Sequence, residues 1–408
     1  MKIKNLPVGY VILFSTFLMS ACGGGGNSGT SSTSTTKTGA LVDSAVSNIH
    51  YQTATQSGTT NASGEFTYKK GETVTFSIGD LKFPAVSAGA VVTPVSMAGA
   101  TSITDQRASN IARLLQSLDQ DGNPNNGISI PDGAAAAAAS VNFNVDASTF
   151  GADAAVTNLV ANSGSSTTSL ISAADAEAHV TTTLDGLSTG IVGVWKITNG
   201  AAFKYLVLLK DHTFLYAEND LTVKEPQNGL EAGTYSYDAS TGNITFKLSY
   251  DDNAPGTDSG VGDIGTPVVL DAVPSAGNTI LTSTDVGLSF NAVNFSSSAS
   301  SPIVGAWEVK NTSTGEFEFL LLMPDGTFLY AENDPTVSSP QNGLEVGTYT
   351  YDSSTSKATF NISYDDNAPG TNSGIGDIGT PSIIDGVLSN SNNTLTAKSG
   401  RIVFTRAL

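Results

Sequence analysis

The residues of this 408-residue chain best suited to chemistry are carboxylates that occur in two sets. Glu218, Asp220, Asp251, Asp252 and Asp263 reappear 114 residues later as Glu332, Asp334, Asp365, Asp366 and Asp377, beside Tyr250 or Tyr364 and beside Asn219/Asn253 or Asn333/Asn367. Several carboxylates on one rim repel each other, and either a hard cation or dispersal into water relieves that repulsion. Both a calcium-organised rim and solvated loop acids fit the pattern. A pair such as Glu218 and Asp252 could also supply the acid and base of a glycosidase. The only two tryptophans, Trp195 and Trp307, sit on first strands and suit a core better than a sugar cleft. A third acidic feature is the run Asp119 to Gly127, where Asp119, Asp121, Asn123 and Asn125 place oxygens at alternate positions, as a calcium loop does. Pro124 stands where the turn glycine belongs and Ile130 where a bidentate glutamate would be, so an Asx-rich turn fits equally.

Other catalytic sets are missing from the pattern. The histidines are His50, His179 and His212, and none belongs to the repeated unit because His212 becomes Gly326. No Gly-x-Ser-x-Gly or phosphate-binding loop occurs, so a non-enzymatic protein is expected. With 18 basic against 37 acidic residues, the net charge of -19 argues against nucleic acid as a partner. One cysteine excludes an intramolecular disulfide and a cysteine-built zinc site.

These residues must be positioned by a series of elements. Lys2 and Lys4, an apolar run from Val8 to Met19, and Ser20-Ala21 before Cys22 form an export signal too short to be a membrane span. Leu18-Met19-Ser20-Ala21-Cys22 resembles the lipobox of bacterial lipoproteins, with Met at a position usually held by Leu. The resemblance implies cleavage after residue 21, acylation of Cys22 and a lipid anchor. Gly23 after the cysteine resembles the pattern of lipoproteins sent to the outer membrane, which implies a periplasmic or cell-surface location. Residues 22–39 then form the acylated cysteine and a flexible Gly/Ser/Thr tether. Period-2 alternation at Phe66/Tyr68 and Val74/Phe76/Ile78 predicts a small β-sandwich over 40–100. Gly64-Glu65-Phe66-Thr67-Tyr68 is similar to carboxypeptidase-regulatory-like or Ig-like surface modules. Over 101–187 the period becomes helical: Ile111, Leu114, Leu115 and Leu118 share a face, and Ile171 to Leu184 is a second helix.

The rest of the chain is a tandem duplication, 191–295 and 303–408, each copy the size of a domain. Eight β-like runs per copy, without a helix-length segment, predict two eight-stranded up-and-down barrels. Gly193-Val194-Trp195 and Gly305-Ala306-Trp307 resemble the opening Gly-x-Trp of lipocalin-like barrels, which implies ligand binding. The expected fold is mainly β and multidomain: sandwich, helical subdomain, then two lipocalin-like barrels. In a meander the long third and fifth connections emerge at one end, so the acids and Tyr250 or Tyr364 are expected on a shared rim. That rim suits an adhesive or ligand-binding role with a glycan, lipid or surface protein as partner, while filled barrels would suit a structural envelope spacer.

Overall fold

The computed structural model describes residues 35–220, 227–252, 260–275, 277–295, 301–311, 314–334, 341–366, 374–397 and 402–408. Cys22, Asn253 and Asn367 lie outside them. The chain divides into two compact units. The first takes in the N-terminal part through Ile191 together with Tyr237–Ile244 and Leu270–Leu288; the second holds Val192–Ser236, Thr245–Val269 and Ser289–Leu408.

In the first unit, two small sheets face one another. One pairs Glu65–Lys69 with Thr36–Leu41 and then Val91–Val92; the other is built on His50–Gln52 and Thr73–Ile78. The alternation expected at Thr73–Ile78 is present, with Val74, Phe76 and Ile78 buried. Phe66 meets Phe76 edge-on at 5.3 Å between ring centroids. The first strand opens at Thr36, so the tether ends earlier than residue 39.

Helices follow where the caps direct. Asp105 accepts from the N–H groups of Arg107 and Ala108 and starts Gln106–Ser117; Ser172 accepts from the Asp175 N–H and starts Ala173–Gly190. The helical subdomain packs on the sandwich: Leu41, Phe66 and Phe76 share one continuous core with Ile111, Leu114, Leu118 and Phe150. Neither sheet can cover its apolar face alone, and the helices supply the missing layer.

The duplicated half forms two antiparallel β-barrels, eight-stranded and closed in the second copy and a nearly closed nine-stranded sheet in the first. The second runs from Gly305–Asn311 to Ile402–Arg406, whose edges pair through Trp307↔Arg406 and Glu308↔Thr405. The ninth strand of the first copy arises because Val268–Asp271 and Val273–Pro274 replace the single strand Ser382–Ser389. Pro274 has no N–H to donate to a ladder where the second copy has Leu388.

Inside the second barrel, Trp307, Phe328, Tyr349, Phe360 and Phe404 fill the space. The Trp307 Nε1–H donates to the Ile303 carbonyl at 2.8 Å, and the Arg406 guanidinium stacks 4.2 Å from the indole ring. The opposite faces of the front strands are buried too, because the two copies pack against each other within the second unit. Phe203, Tyr205, Val207, Leu215 and Ala217 of the first copy share a core with Phe319, Leu321, Leu329 and Ala331 of the second. The contact is reciprocal. Phe203 packs edge-on against Tyr364 and Phe317 against Tyr250; Lys196 pairs with Asp325 and Lys310 with Asp211. The two aromatic pairs are each other displaced by the repeat, as in a self-complementary interface, whereas the lysines are not repeat equivalents: Lys196 stands where the second copy has Glu308, and Lys310 where the first has Thr198.

Candidate functional site

Strand alternation decides where the acids point. Along Thr213–Asp220, Leu215 and Ala217 face the other copy, which turns Phe214, Tyr216 and Glu218 to the barrel interior. Glu218 is buried there: it accepts from Tyr216 Oη at 2.7 Å, from Lys204 Nζ at 2.5 Å and from the Gly260 N–H at 3.0 Å. Next to it Glu231 accepts from the Val261 N–H at 2.8 Å. Burial, reinforced by the charges of Asp251, Glu218 and Asp252, pushes the Glu231 carboxyl up to about 8. The second copy repeats this layout. Tyr330 donates to Glu332 at 2.7 Å and to Glu318 at 2.9 Å, Ile375 N–H donates to Glu345 at 2.9 Å, and burial with Asp365 and Glu332 nearby raises Glu345 to about 8. The last described part of the fifth connection thus reaches the interior glutamates, and in the second copy Ile375 is buried in the barrel core. Tyr216 and Tyr330 are held far above the usual phenol range by burial and by these glutamates, so both remain donors.

The rim expected from the sequence thus separates into layers. Glu218 and Glu332 are buried inside the barrels. Asp220, Asp251, Asp334 and Asp365 are half-buried, with Asp220 3.8 Å from Lys204. Tyr250 and Tyr364 turn to the contact between the copies, where Tyr250 donates to Asp252 at 2.9 Å and Tyr364 to Asp366 at 3.1 Å. Asp252 and Asp366 lie at the exposed edge of that contact and accept from the N–H groups of Leu230 and Leu344. Partial desolvation, with the charge of Asp252, lifts Asp366 to about 6. Asp263 and Asp377 are exposed turn residues whose carbonyls accept from Thr266 and Thr380. Glu218 is buried in the barrel interior, whereas Asp252 is exposed and bonded to Tyr250 and the Leu230 N–H. A cavity of about 30 Å³ inside the second barrel is lined mostly by apolar groups such as Leu320, Phe360 and Ile375.

Several oxygens of the Asp119 loop bond within the chain. Asp119 is buried and accepts from the Ser129 N–H, while Asp121 accepts from Asn123 N–H and from Asn126 Nδ2 at 2.8 Å. Asn125 donates to Asn123 at 3.4 Å, and these bonds are those of an Asx-rich turn. Among the described residues, no group of three or more His, Cys, Asp or Glu is arranged to hold a metal ion.

A constellation that the motif search did not find lies in the first unit. His179, on the helix Ala173–Gly190, meets Asp43 and Ser44, which lie 135 or more residues away in sequence. Its Nε2 is 2.7 Å from the Asp43 carbonyl oxygen, 3.2 Å from Ser44 Oγ and 4.0 Å from Asp43 Oδ1. A hydrolytic triad needs the hydroxyl and the carboxylate on opposite ring nitrogens. Here both are on Nε2, whose proton goes to the carbonyl, so Ser44 is not activated. Burial lowers the His179 pKa and keeps the ring neutral. Burial likewise holds Asp43 well above the carboxylate range, against the opposing effect of its bond from Gln116 at 2.8 Å. The one local signal in the sequence was Ser44 itself, whose φ of 43° is unusual for a residue with a side chain.

In comparisons with known proteins, no family model matches the chain and no curated protein matches it. Among the described residues no helix is long and apolar enough to cross a membrane.

Proposed function

We propose that this chain is an exported, lipid-anchored envelope protein without catalytic activity, whose tandem barrels serve as a filled, preassembled structural body. One observation carries the reading. Among the described residues the cavity inside the second barrel is about 30 Å³, and Ile375 of the fifth connection is buried on its wall. That volume is far below the roughly 300–1,000 Å³ of ligand cavities. The lipobox-like segment ending at Cys22 supports the anchor, and the Gly/Ser/Thr tether supports a body held off the bilayer. The proposed location is the outer membrane, facing either the periplasm or the medium.

An adhesive or ligand-binding role is the second reading, and it rests on a feature both copies share. Ile264 and Ile378 are each 57% exposed beside the exposed Asp263 and Asp377, in the repeated Gly-Asp-Ile-Gly-Thr-Pro turn. An apolar side chain kept in water twice is a contact surface for a glycan, lipid or surface protein.

Two measurements test these readings. Metabolic labelling with an alkyne fatty acid should mark the wild-type protein and not the Cys22→Ser variant; equal labelling removes the anchor. Trp195 and Trp307, one in each barrel, report on the barrels alone. Titration with glycans, lipids and calcium should leave their emission and the barrel melting unchanged. A response abolished by I264S/I378S would replace the structural reading by the adhesive one.

A further inference from the structure

A cavity of about 380 Å³ lies in the first unit. All its lining residues belong to that unit, and they come from the first strand, the turn at Ser44, the helix Ala173–Gly190 and the hairpin containing Val273–Pro274. Its size is that of a small-molecule site. Its composition is more telling than its size. In a chain with 37 acidic and 18 basic residues, no Asp, Glu, Lys or Arg lines it. No Phe, Tyr or Trp lines it either, so there is no ring face on which a sugar or a nucleobase could stack. The walls are aliphatic and small, from Ala40, Val91, Leu187, Val273 and Pro274.

The polar groups are uncharged hydroxyls, amides and one imidazole. Ser44 and His179 lie on the wall, 3.2 Å apart. With the Nε2 proton committed to the Asp43 carbonyl, Nδ1 is left as an acceptor, and the Ser44 hydroxyl can donate. The neutral imidazole adds no charge. A second cavity of about 360 Å³, lined by Gln116, Asp175 and Thr167 among others, shares Asn125, His179 and Thr182 with the first. An aliphatic chamber and a polar one therefore meet at His179.

We propose that this pair of cavities is a binding site for an uncharged single-chain amphiphile, its aliphatic chain against Leu187 and Val273 and its hydroxyl or carbonyl head at Ser44 and His179. The site stands independently of the structural reading of the barrels. A carboxylate head would lose its water without gaining a counter-charge on either wall, and an ammonium head would meet only Asp175, on the wall of the second cavity away from Ser44. A neutral hydroxyl exchanges water for Ser44 and His179 and is matched.

The test uses the full chain carrying Cys22→Ser, so that no acyl group is present, with 1-decanol as probe and calorimetry as readout. Saturable binding of 1-decanol is expected, with methyl resonances of Leu187 and Val273 shifting and tryptophan emission unchanged. Decanoate and decylammonium should bind at least tenfold more weakly. Gly186 lines the cavity, and a Cβ added there meets nothing within 4 Å, so Gly186→Leu should fill the chamber without disturbing the fold and weaken binding at least tenfold. Ser44→Gly, compatible with the left-handed backbone, should keep the fold and weaken binding several-fold. No saturable binding of 1-decanol, equal or tighter binding of the charged analogues or of maltotriose, or a folded Gly186→Leu chain with unchanged affinity would each overturn the proposal.

Discussion

The two barrels carry the same interior glutamates and the same tyrosine donors, yet they differ at one position on the wall. The first copy has Lys204 where the second has Glu318. In the first, an ammonium 2.5 Å from Glu218 balances a buried carboxylate; in the second, Tyr330 bridges Glu318 and Glu332 through its hydroxyl. One network is a buried ion pair and the other is a phenol shared between two acids. The difference teaches that this layer need not have a fixed charge to hold the barrel end. What both copies retain is the pair of backbone N–H donors from the fifth connection, which tie Glu231 and Glu345 to that loop.

The strongest way to break the comparison is to remove the cation. Lys204→Met leaves Glu218 buried beside Glu231 and should destabilise the first barrel by about 2–4 kcal/mol. Denaturation followed by Trp195 emission in a W307F background measures it, and adding Glu218→Gln should recover most of the loss. A second barrel followed by Trp307 in a W195F background should be unaffected by Lys204→Met beyond what the shared interface transmits.

Proton uptake comes next. Glu231 and Glu345 move from an ordinary 4.5 to about 8 on folding, so between those values the folded state holds protons that the unfolded chain has released. Stability should therefore be greatest below pH 4.5 as far as these groups are concerned, and should fall as pH rises towards 8. Glu345→Gln keeps an acceptor for the Ile375 N–H without the charge and should stabilise the second barrel by about 2 kcal/mol at pH 8, with little effect at pH 4.5. A denaturation midpoint independent of pH across this range in the wild type would rule the buried charge out.

Smaller effects belong to the contact between the copies. Asp366→Asn removes its repulsion with Asp252 and should raise stability above pH 6 by about 0.5 kcal/mol, because both groups sit at an exposed edge. Lys196→Ala and Lys310→Ala, which delete the bridges to Asp325 and Asp211, should each cost no more than about 1 kcal/mol in denaturation of the full chain. A larger loss in either variant would show that its bridge anchors the contact.

Much of the fold was legible in the sequence. The eight runs expected in the first copy fall on strands to within a few residues, with Asn243–Asp251 and Thr213–Asp220 among them, while the ninth strand, Val273–Pro274, was not expected; Gln106–Ser117 matches its helical pattern. The acids were harder to place. That Glu218 is buried while Asp252 is exposed is not written in residue type. The contact between the copies did leave a trace. Tyr205-Leu206-Val207-Leu208-Leu209 and Phe319-Leu320-Leu321-Leu322-Met323 are apolar on both faces, which a lone barrel with a wet exterior does not need. The grouping of Asp43, Ser44 and His179 left almost none, because no local spacing links residues that meet only through the packing of a turn on a distant helix.

By itself, then, the sequence determined the acidic balance, the duplication and the strand and helix periods, because these rest on composition and on repeats that one chain carries locally. Only the tertiary structure decided which carboxylates lose their water, that Val261 and Ile375 bond the interior glutamates, and that a cavity without charged side chains forms beside His179. Those outcomes depend on which groups from distant segments come within a few ångströms of each other, and burial, not residue type, then sets their charge.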